Sequence, residues 1–342
     1  MRLGVGYPGS SRITHARRDL DAIAASGAGL VVVGATEEDA FERPERLASI
    51  VTAARARGLE VLVGSWGVLG LFGGGGQSLA LARDPSMRQG LSDGATVPAA
   101  CPNHPETGAW LDRWIQSVVT TRPDGIAWVK PRLWVPSRDR WGTGHGAAWS
   151  CVCDRCRVAW RHGRHDAPGG EIPGRMSPEV RSFRERSLLG LLDAATAAVH
   201  QAGLRNVATV APAGGDDPEA LAWDTLAASP FIDGLGTEPT RDIDTAIADH
   251  VAFWGTRVSR TAQGRRLRTH LWIRLGRVRA ARTDVLVEAV REAARAGIDD
   301  LIVRSWPDDD ATLAGTPHDG QAALPAMDAW RIVAEAARTT RP

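Results

Sequence analysis

The sequence predicts a (β/α)8 barrel, and three observations support this fold class. Short apolar segments alternate with longer amphipathic segments along the chain, and each pair has the length of one strand and one helix. Some short segments are continuously apolar, as in Leu30–Ala35, which is typical of parallel strands buried on both faces. The chain has 342 residues, a length that such barrels reach as one domain. We therefore expect a single barrel domain over residues 1–342, with a doubly wound open sheet as the alternative.

The predicted strands are short runs rich in Val, Ile, Leu and Gly, each bounded by polar or turn-forming residues. In chain order they are Leu3–Tyr7, Leu30–Ala35, Leu59–Ser65, Gly125–Val129, Asn206–Ala211, Gly234–Thr237, Thr269–Leu275 and Leu301–Ser305. Helices are predicted where apolar residues recur at helical spacing. They are Thr14–Ser26, Arg43–Arg57, Pro105–Thr120, Pro178–Gln201, Pro218–Ala228, Thr245–Arg260, Val285–Ala296 and Ala326–Thr339. Residues 131–176, after the fourth strand, are predicted to be an insertion, because this segment is far longer than a usual βα loop.

The charge and hydropathy patterns exclude several classes of function. With 41 Lys and Arg against 40 Asp and Glu, the formal net charge is +1, and no basic block is present, so nucleic acid is not an expected partner. The first residues lack the apolar core of a signal peptide, and no run of about 18 apolar residues predicts a membrane span. We therefore expect a cytoplasmic protein with reduced thiols and no membrane partner. The sequence leaves its oligomeric state open.

The four cysteines are the most specific feature of the sequence. Cys101 follows the third predicted strand, and Cys151, Cys153 and Cys156 form a C-x-C-x-x-C motif after the fourth. Loops that follow neighbouring strands of a parallel barrel lie side by side, so the four thiolates are expected to meet. Four thiolates form the tetrahedral shell of structural zinc, and such a shell leaves no position for a substrate. The sequence therefore predicts a structural zinc site, with four unconnected thiols as the alternative.

This cysteine pattern on a barrel resembles the beta-galactosidase family that holds a zinc ion beside its active site. The stretches Cys101-Pro-Asn-His-Pro, Asp124-Gly-Ile-Ala-Trp-Val-Lys-Pro and Trp149-Ser-Cys-Val-Cys-Asp-Arg-Cys also resemble glycosidase-like barrels. The resemblance implies an active site at the carboxyl ends of the strands and a small carbohydrate as the ligand. It also implies an acid/base glutamate at the end of the fourth strand and a nucleophilic glutamate at the end of the seventh.

Neither of the implied glutamates is present at the matching position. Lys130 stands at the end of the fourth predicted strand, and Arg274 stands at the end of the seventh. Retaining hydrolysis needs two carboxyl groups that face one glycosidic bond, so standard hydrolysis is not expected. The lead hypothesis is therefore an enzyme that acts on a small sugar or sugar-derived metabolite by other chemistry. A glycoside hydrolase with unconventional carboxylates and a non-catalytic sugar-binding pseudoenzyme are the alternatives.

Lys130 is the residue on which the lead hypothesis depends. It is the only lysine in the chain, and arginine cannot replace lysine where the amine must lose its proton. If Ile126, Trp128 and Lys130 share one face of the strand, Lys130 projects into the barrel mouth. There it is interpreted as a general base, a Schiff-base former or a fixed cation for an anionic group. A structural ion pair, in a sequence whose composition favours arginine, is the alternative.

The other candidate site residues are polar and aromatic side chains near the carboxyl ends of the predicted strands. Glu238 and Tyr7 are candidate acid/base or positioning partners of Lys130, although Glu238 is equally suited to an ion pair with an arginine. The candidate substrate-binding residues are Glu37, Trp66, Trp128, Arg132, Trp134, Trp272, Arg274, Arg304 and Trp306. The tryptophans offer flat faces that stack on sugars, and the arginines suggest a carboxylate or phosphate on the ligand. Core packing and structural ion pairs are the alternatives for these two groups.

Overall fold

The computed structural model describes residues 1–9, 12–73, 78–134, 148–163, 172–173, 176–210, 221, 223–238, 247–275, 282–304 and 324–340. In chain order the strands are β1 (Arg2–Tyr7), β2 (Leu30–Ala35), β3 (Glu60–Ser65), β4 (Arg88–Gly90), β5 (Thr96–Ala100), β6 (Gly125–Val129), β7 (Arg205–Val210), β8 (Gly234–Thr237), β9 (Arg268–Ile273) and β10 (Asp300–Val303). The parallel strands close into a barrel in the order β1-β2-β3-β6-β7-β8-β9-β10, and β10 pairs with β1. Strands β4 and β5 form a separate antiparallel pair. The prediction of a (β/α)8 barrel is therefore confirmed.

Helices connect the barrel strands and form the outer layer of the fold. They are α1 (Ile13–Ala25), α2 (Glu37–Phe41), α3 (Pro44–Arg55), α4 (Leu79–Arg83), α5 (Pro105–Thr120), α6 (Asp154–Gly163), α7 (Pro178–Gln201), α8 (Trp223–Ala228), α9 (Ile247–Gln263), α10 (Asp284–Arg295) and α11 (Ala326–Thr339), with short 3-10 helices at Val68–Gly70 and Pro85–Met87. Within the described ranges, none of these helices combines the length and the apolar character that crossing a membrane requires.

The barrel strands are buried on both faces, in agreement with their continuous apolar runs. Alternate residues point into the barrel, and the others pack against the helices. The buried apolar residues inside the barrel are Leu30, Val32, Leu62, Ala127, Val129, Val207, Trp272 and Ile302. A Cβ added to Gly6 would lie 2.1 Å from the carbonyl oxygen of Arg304, and one added to Gly236 would lie 2.1 Å from that of His270. Glycine at these two positions therefore allows the backbone of the neighbouring strand to approach closely.

The amino-terminal ends of the strands are closed by a network of ion pairs. Arg2 contacts Glu60 at 2.6 Å and Asp300 at 2.7 Å. Arg205 contacts Glu60 at 2.7 Å, and Arg268 contacts Asp300 at 2.5 Å. Burial works against the charged form of Asp300, but hydrogen bonds from Arg268 and Arg2 outweigh it, so the pKa of Asp300 is lowered. Each carboxylate of this network therefore has two arginine partners.

The structure adds elements to the prediction mainly between β3 and α7. The β4–β5 pair and α4 lie between β3 and α5, where no strand or helix is predicted from the sequence. Such short strands and helices give too weak a periodic signal to be recognised in the sequence. The predicted insertion at residues 131–176 lies partly outside the described residues, and its described part contains α6 with Cys156. The extent of the insertion stays a prediction.

Candidate active site and candidate metal centre

Four charged side chains meet at the carboxyl ends of the barrel strands, the end at which barrel enzymes carry their active sites. Lys130 follows β6, Glu238 follows β8, Arg274 follows β9 and Arg304 follows β10. Glu238, Arg274 and Arg304 continue the inward-facing alternation of their strands, so strand geometry directs all three toward the barrel axis. We refer to these four residues as the mouth cluster.

Lys130 reaches the mouth cluster by a different route, because the alternation of β6 is broken where the strand ends. Ile126 and Trp128 point outward into the layer between strands and helices. They therefore do not share a face with Lys130, contrary to the expectation from the sequence. Lys130 has a left-handed backbone with φ of +47°, and its N–H donates to the carbonyl of Thr209 at 2.7 Å. This turn costs about 1–2 kcal/mol for a residue with a Cβ, and it allows the side chain to contact Glu238.

Glu238 is the centre of the mouth cluster and contacts all three cations. Lys130 Nζ lies 2.7 Å from Oε2 of Glu238. Oε1 accepts hydrogen bonds from Arg274 Nε at 2.7 Å and from Arg304 Nη1 at 2.6 Å. The side chains of Glu238 and Lys130 are 3% and 10% exposed, whereas those of Arg274 and Arg304 are 37% and 25% exposed. The acid and the amine are therefore buried, and the two guanidinium groups extend toward solvent.

The surroundings of Lys130 oppose its protonation more than they favour it. Burial has the largest effect and lowers its pKa, the carboxylate of Glu238 raises it, and the positive charges of Arg274 and Arg132 lower it again. The net result is a pKa below 10.5, the ordinary value for lysine. Lys130 can therefore release and take up a proton at a lower pH than an exposed lysine, which arginine does not do.

Two further inner residues lie on β9, below the mouth cluster. Nε2 of His270 shares a hydrogen bond of 2.9 Å with the hydroxyl of Thr209. Burial lowers the pKa of His270 to about 4, so its ring is neutral at pH 7. Trp272 is 2% exposed, and among the described residues its indole nitrogen has no hydrogen-bond partner. A buried donor without a partner costs about 1–3 kcal/mol, and this indole N–H is one that the described residues leave unused.

The structure brings some predicted binding residues to the mouth cluster and places others elsewhere. The guanidinium group of Arg304 lies over the ring of Trp66, 6.0 Å from its centroid. Arg132 is close enough for its charge to lower the pKa of the lysine. Trp134 packs beside the β4–β5 pair. Trp306 lies outside the described residues.

Tyr7 and Glu37 have structural partners away from the mouth cluster. The hydroxyl of Tyr7 donates to Asp19 on α1 at 2.8 Å. Glu37 is 3% exposed and accepts hydrogen bonds from the backbone N–H groups of Leu69 at 2.7 Å and Ala80 at 2.9 Å. Tyr7 is the last residue of β1 and lies on its outward face, because side chains alternate along a strand, whereas Glu37 is the first residue of α2. The structure therefore does not bring them to the mouth, and they tie strands to the surrounding helices and loops.

The four cysteines meet, as their positions in the sequence predict. Their Sγ atoms all lie within 4.8 Å of one another, and Sγ of Cys101 lies 3.4 Å from those of Cys153 and Cys156. Zn–S bonds of about 2.3 Å in a tetrahedron require Sγ separations of about 3.8 Å. The arrangement therefore fits a metal ion held by four thiolates.

The chain around the cysteines supports the same interpretation. The side-chain amide of Asn103 donates to Sγ of Cys156 at 3.3 Å, and such outer contacts orient metal ligands. The N–H of Val152 donates to the carbonyl of Gly90 at 2.9 Å, and a Cβ on Gly90 would lie 3.2 Å from the backbone nitrogen of Cys153. The cysteine loop is thus packed directly on β4. Asn103 lies within the stretch Cys101-Pro-Asn-His-Pro, but no role is assigned to it from the sequence.

Comparison with known proteins identifies the fold. No protein-family model and no curated protein matches the chain. A GH5_18 enzyme from Streptomyces cattleya in complex with GlcNAc has a TM-score of 0.54 and 18% identity, over 99% of this chain and 80% of that chain. A variant GH5_18 enzyme from Bifidobacterium longum subsp. longum in complex with Manb1-4GlcNAc has a TM-score of 0.59 and 12% identity, over 100% and 79% of the two chains. D-psicose 3-epimerase from Clostridium cellulolyticum H10 with D-tagatose has a TM-score of 0.50 and 9% identity, over 100% and 98%. At these identities the likeness establishes the barrel fold.

Proposed function

We propose that the protein is an enzyme that acts on a small sugar or sugar-derived molecule, with Lys130 as the group that takes and returns a proton. The observation that carries the proposal is the buried contact of 2.7 Å between Lys130 and Glu238 at the carboxyl ends of the barrel strands. A buried ion pair is weak evidence for a stabilising role. A lysine with a lowered pKa at an active-site mouth is suited to proton transfer.

In the proposed reaction the neutral amine of Lys130 takes a proton from a C–H or O–H group of the substrate and becomes an ammonium group. Glu238 holds that ammonium group through its contact of 2.7 Å. Arg274 and Arg304 contact the other carboxylate oxygen of Glu238 at 2.7 Å and 2.6 Å and hold the side chain in place. The ammonium group then returns the proton to the substrate, at its original atom or at a neighbouring one. Trp66 offers the flat face on which a sugar stacks.

Sugars as the substrate class are supported by proteins that share the barrel. The similar structures hold GlcNAc, Manb1-4GlcNAc and D-tagatose. Hydrolysis by two carboxylates has less support in the described part of the chain. Glu238 is neutralised there by three cations, and Glu37 is engaged by backbone N–H groups. Proton transfer, by contrast, uses the lysine that stands where a hydrolase needs an acid.

Exchange of substrate protons with deuterated solvent tests the proposal, and it does so even when the product is unidentified. A panel of neutral sugars, sugar acids and sugar phosphates is incubated with the protein in D2O, and proton NMR follows the loss of C–H signals. Lys130→Arg and Lys130→Ala should both slow exchange by about 10²–10⁴-fold, because arginine keeps the charge but does not release its proton. Arg331→Gln, on the exposed surface of α11, is the matched control and should leave exchange unchanged.

The other outcomes separate the alternative roles of Lys130. Full exchange by Lys130→Arg would show that the residue acts only as a cation. Trapping of a substrate on the protein by borohydride would indicate a Schiff base, and the position would be unambiguous because the chain has one lysine besides its α-amine. Sugar binding without exchange of any compound in the panel would favour the pseudoenzyme.

We also propose that Cys101, Cys151, Cys153 and Cys156 hold a structural zinc ion. Their Sγ atoms lie within 4.8 Å of one another, and a shell of four thiolates would leave no position for water or substrate. The ion would therefore stabilise the packing of the cysteine loop and take no part in the reaction. Elemental analysis should find about one zinc ion per chain. Cys153→Ser should lower both the zinc content and the Tm, whereas four freely titratable thiols in native, zinc-free protein would contradict the proposal.

A further inference from the structure

The mouth cluster carries more positive charge than its carboxylate neutralises. Lys130, Arg274 and Arg304 all contact Glu238, and the described part of the chain gives none of the three a second anionic partner. With the amine of Lys130 protonated, three positive charges against one negative charge leave +2, and with the amine neutral the two arginines against Glu238 still leave +1.

The ion-pair network at the opposite end of the barrel shows what charge balance a cluster with only a structural role has in this protein. There Arg2, Arg205 and Arg268 contact two carboxylates, those of Glu60 and Asp300. Three positive charges against two negative charges leave +1, and each carboxylate has two arginine partners. The mouth cluster has the same number of cations but half the carboxylates. Among the residues that the structure describes, the mouth cluster therefore keeps a positive charge that a bound anion would balance.

The arginines of the mouth cluster have donors left for such an anion. A guanidinium group presents donors on all three of its nitrogens. Arg274 uses Nε and Arg304 uses Nη1 on Glu238, and the described residues give the other two nitrogens of each group no acceptor. Both arginines are partly exposed while Glu238 is buried, so these donors lie on the solvent side of the cluster. Trp272, two residues before Arg274 on the same face of β9, adds a buried indole N–H that has no partner within the described ranges.

We infer that the substrate carries an anionic group, a carboxylate or a phosphate, that binds across Arg274 and Arg304. Two guanidinium groups match the several oxygens of either anion, and the resulting hydrogen bonds are strengthened by charge. This inference rests on the proposed function, because it names the class of sugar derivative that the same mouth binds. That class is a sugar acid or a sugar phosphate, and a neutral sugar lacks the group that the excess charge requires.

Binding of matched charged and neutral ligands tests the inference. The probes are D-glucuronate and D-galacturonate against D-glucose and D-galactose, and D-glucose 6-phosphate against D-glucose. Isothermal titration calorimetry and the rise in Tm measure their binding to the full chain as purified. At least one charged probe should bind about tenfold or more tightly than its neutral partner, and Arg274→Gln or Arg304→Gln should each weaken that binding about tenfold, as loss of a charge-assisted hydrogen bond implies. Arg331→Gln should leave the affinity unchanged.

The outcomes distinguish the two anions and the two proposals. Preference for a uronate would identify the anionic group of the substrate as a carboxylate. Preference for the phosphate ester would identify it as a phosphate, and either result supports the inference. It is overturned if no charged probe binds more tightly than its neutral partner. It is also overturned if Arg274→Gln and Arg304→Gln, with the Tm of the parent protein, both keep its affinity for the anion. Anion preference without proton exchange would refute the proposed function alone, and exchange of neutral sugars without anion preference would refute this inference alone.

Discussion

Replacing Glu238 with glutamine removes the carboxylate at the centre of the mouth cluster and keeps its shape. In Glu238→Gln the three cations that contact this residue lose their counter-charge. The arginines are partly exposed and can turn to solvent, but the side chain of Lys130 is only 10% exposed. The attraction of Glu238 is the main effect that raises the pKa of Lys130. Its removal should therefore lower that pKa further and favour the neutral amine.

The cost of this deprotonation determines the expected loss of stability. An unfolded lysine keeps its ordinary pKa of 10.5, so holding the amine neutral at pH 7 costs about 5 kcal/mol, at about 1.36 kcal/mol per pH unit. Burial imposes part of this cost already in the parent protein, so we expect Glu238→Gln to lose about 3 kcal/mol. The relevant pH range lies between the pKa of Lys130 in the folded protein and its value of 10.5 in the unfolded chain. In this range the unfolded chain binds more protons than the folded chain. The stability of the variant should therefore rise with pH in that window, by about 1.4 kcal/mol per unit.

Urea denaturation at a series of pH values measures the free energy of unfolding. The ¹³Cε signal of the single lysine, observed after selective labelling, measures the pKa of Lys130 directly. The double variant Glu238→Gln/Lys130→Met is the matched control, because without the amine its stability should not rise with pH in this way. An unchanged pKa of Lys130 in Glu238→Gln, or a loss below about 1 kcal/mol, would refute the ion pair on which the proposed function depends.

Three further predictions concern His270, Glu37 and hydrolysis. Burial lowers the pKa of His270 from 6.5 to about 4. As the pH falls from 6.5 to about 4, the unfolded chain therefore takes up a proton that the folded chain does not. Stability should then fall by about 3 kcal/mol, and His270→Gln should remove this part of the urea-denaturation profile. Glu37→Ala leaves the donors of Leu69, Ser78 and Ala80 without their acceptor and should cost about 3 kcal/mol or more without changing ligand affinity; unchanged stability would contradict this structural role. Aryl β-galactosides and β-glucosides should be hydrolysed far more slowly than roughly 10 per second, and a rate near that value would show that a second carboxylate acts at the mouth.

The fold and the edge of the barrel that carries the site can be predicted from the sequence because both depend on local patterns. Continuous apolar strands that alternate with amphipathic helices indicate a parallel barrel, whose closure the structure confirms. The carboxyl end of each strand is then found by counting along the chain, which places Lys130, Glu238, Arg274 and Arg304 at one edge. The cysteine cluster can also be predicted from the sequence, since three of its four thiols lie within a few residues of one another.

The directions of the side chains at that edge cannot be predicted in the same way. Successive side chains of a strand point to opposite faces of the sheet. An error of one position in the predicted strand therefore moves a side chain from the barrel interior to the outer layer. Tyr7 and Glu37 stand at strand ends but point outward, to Asp19 and to backbone N–H groups. Lys130 follows two outward-pointing residues at alternate positions and still contacts Glu238, since its backbone is left-handed.

The sequence by itself determined that a lysine, a glutamate and two arginines stand at the carboxyl ends of four strands. Only the tertiary structure decided that Glu238 contacts all three cations. These residues are separated by up to 174 positions (from 130 to 304), and closure of the barrel brings them together. The register of the strands and the backbone turn at Lys130 then determine which atoms touch. Contacts of this kind depend on the packing of the whole barrel, and no local pattern in the chain encodes them.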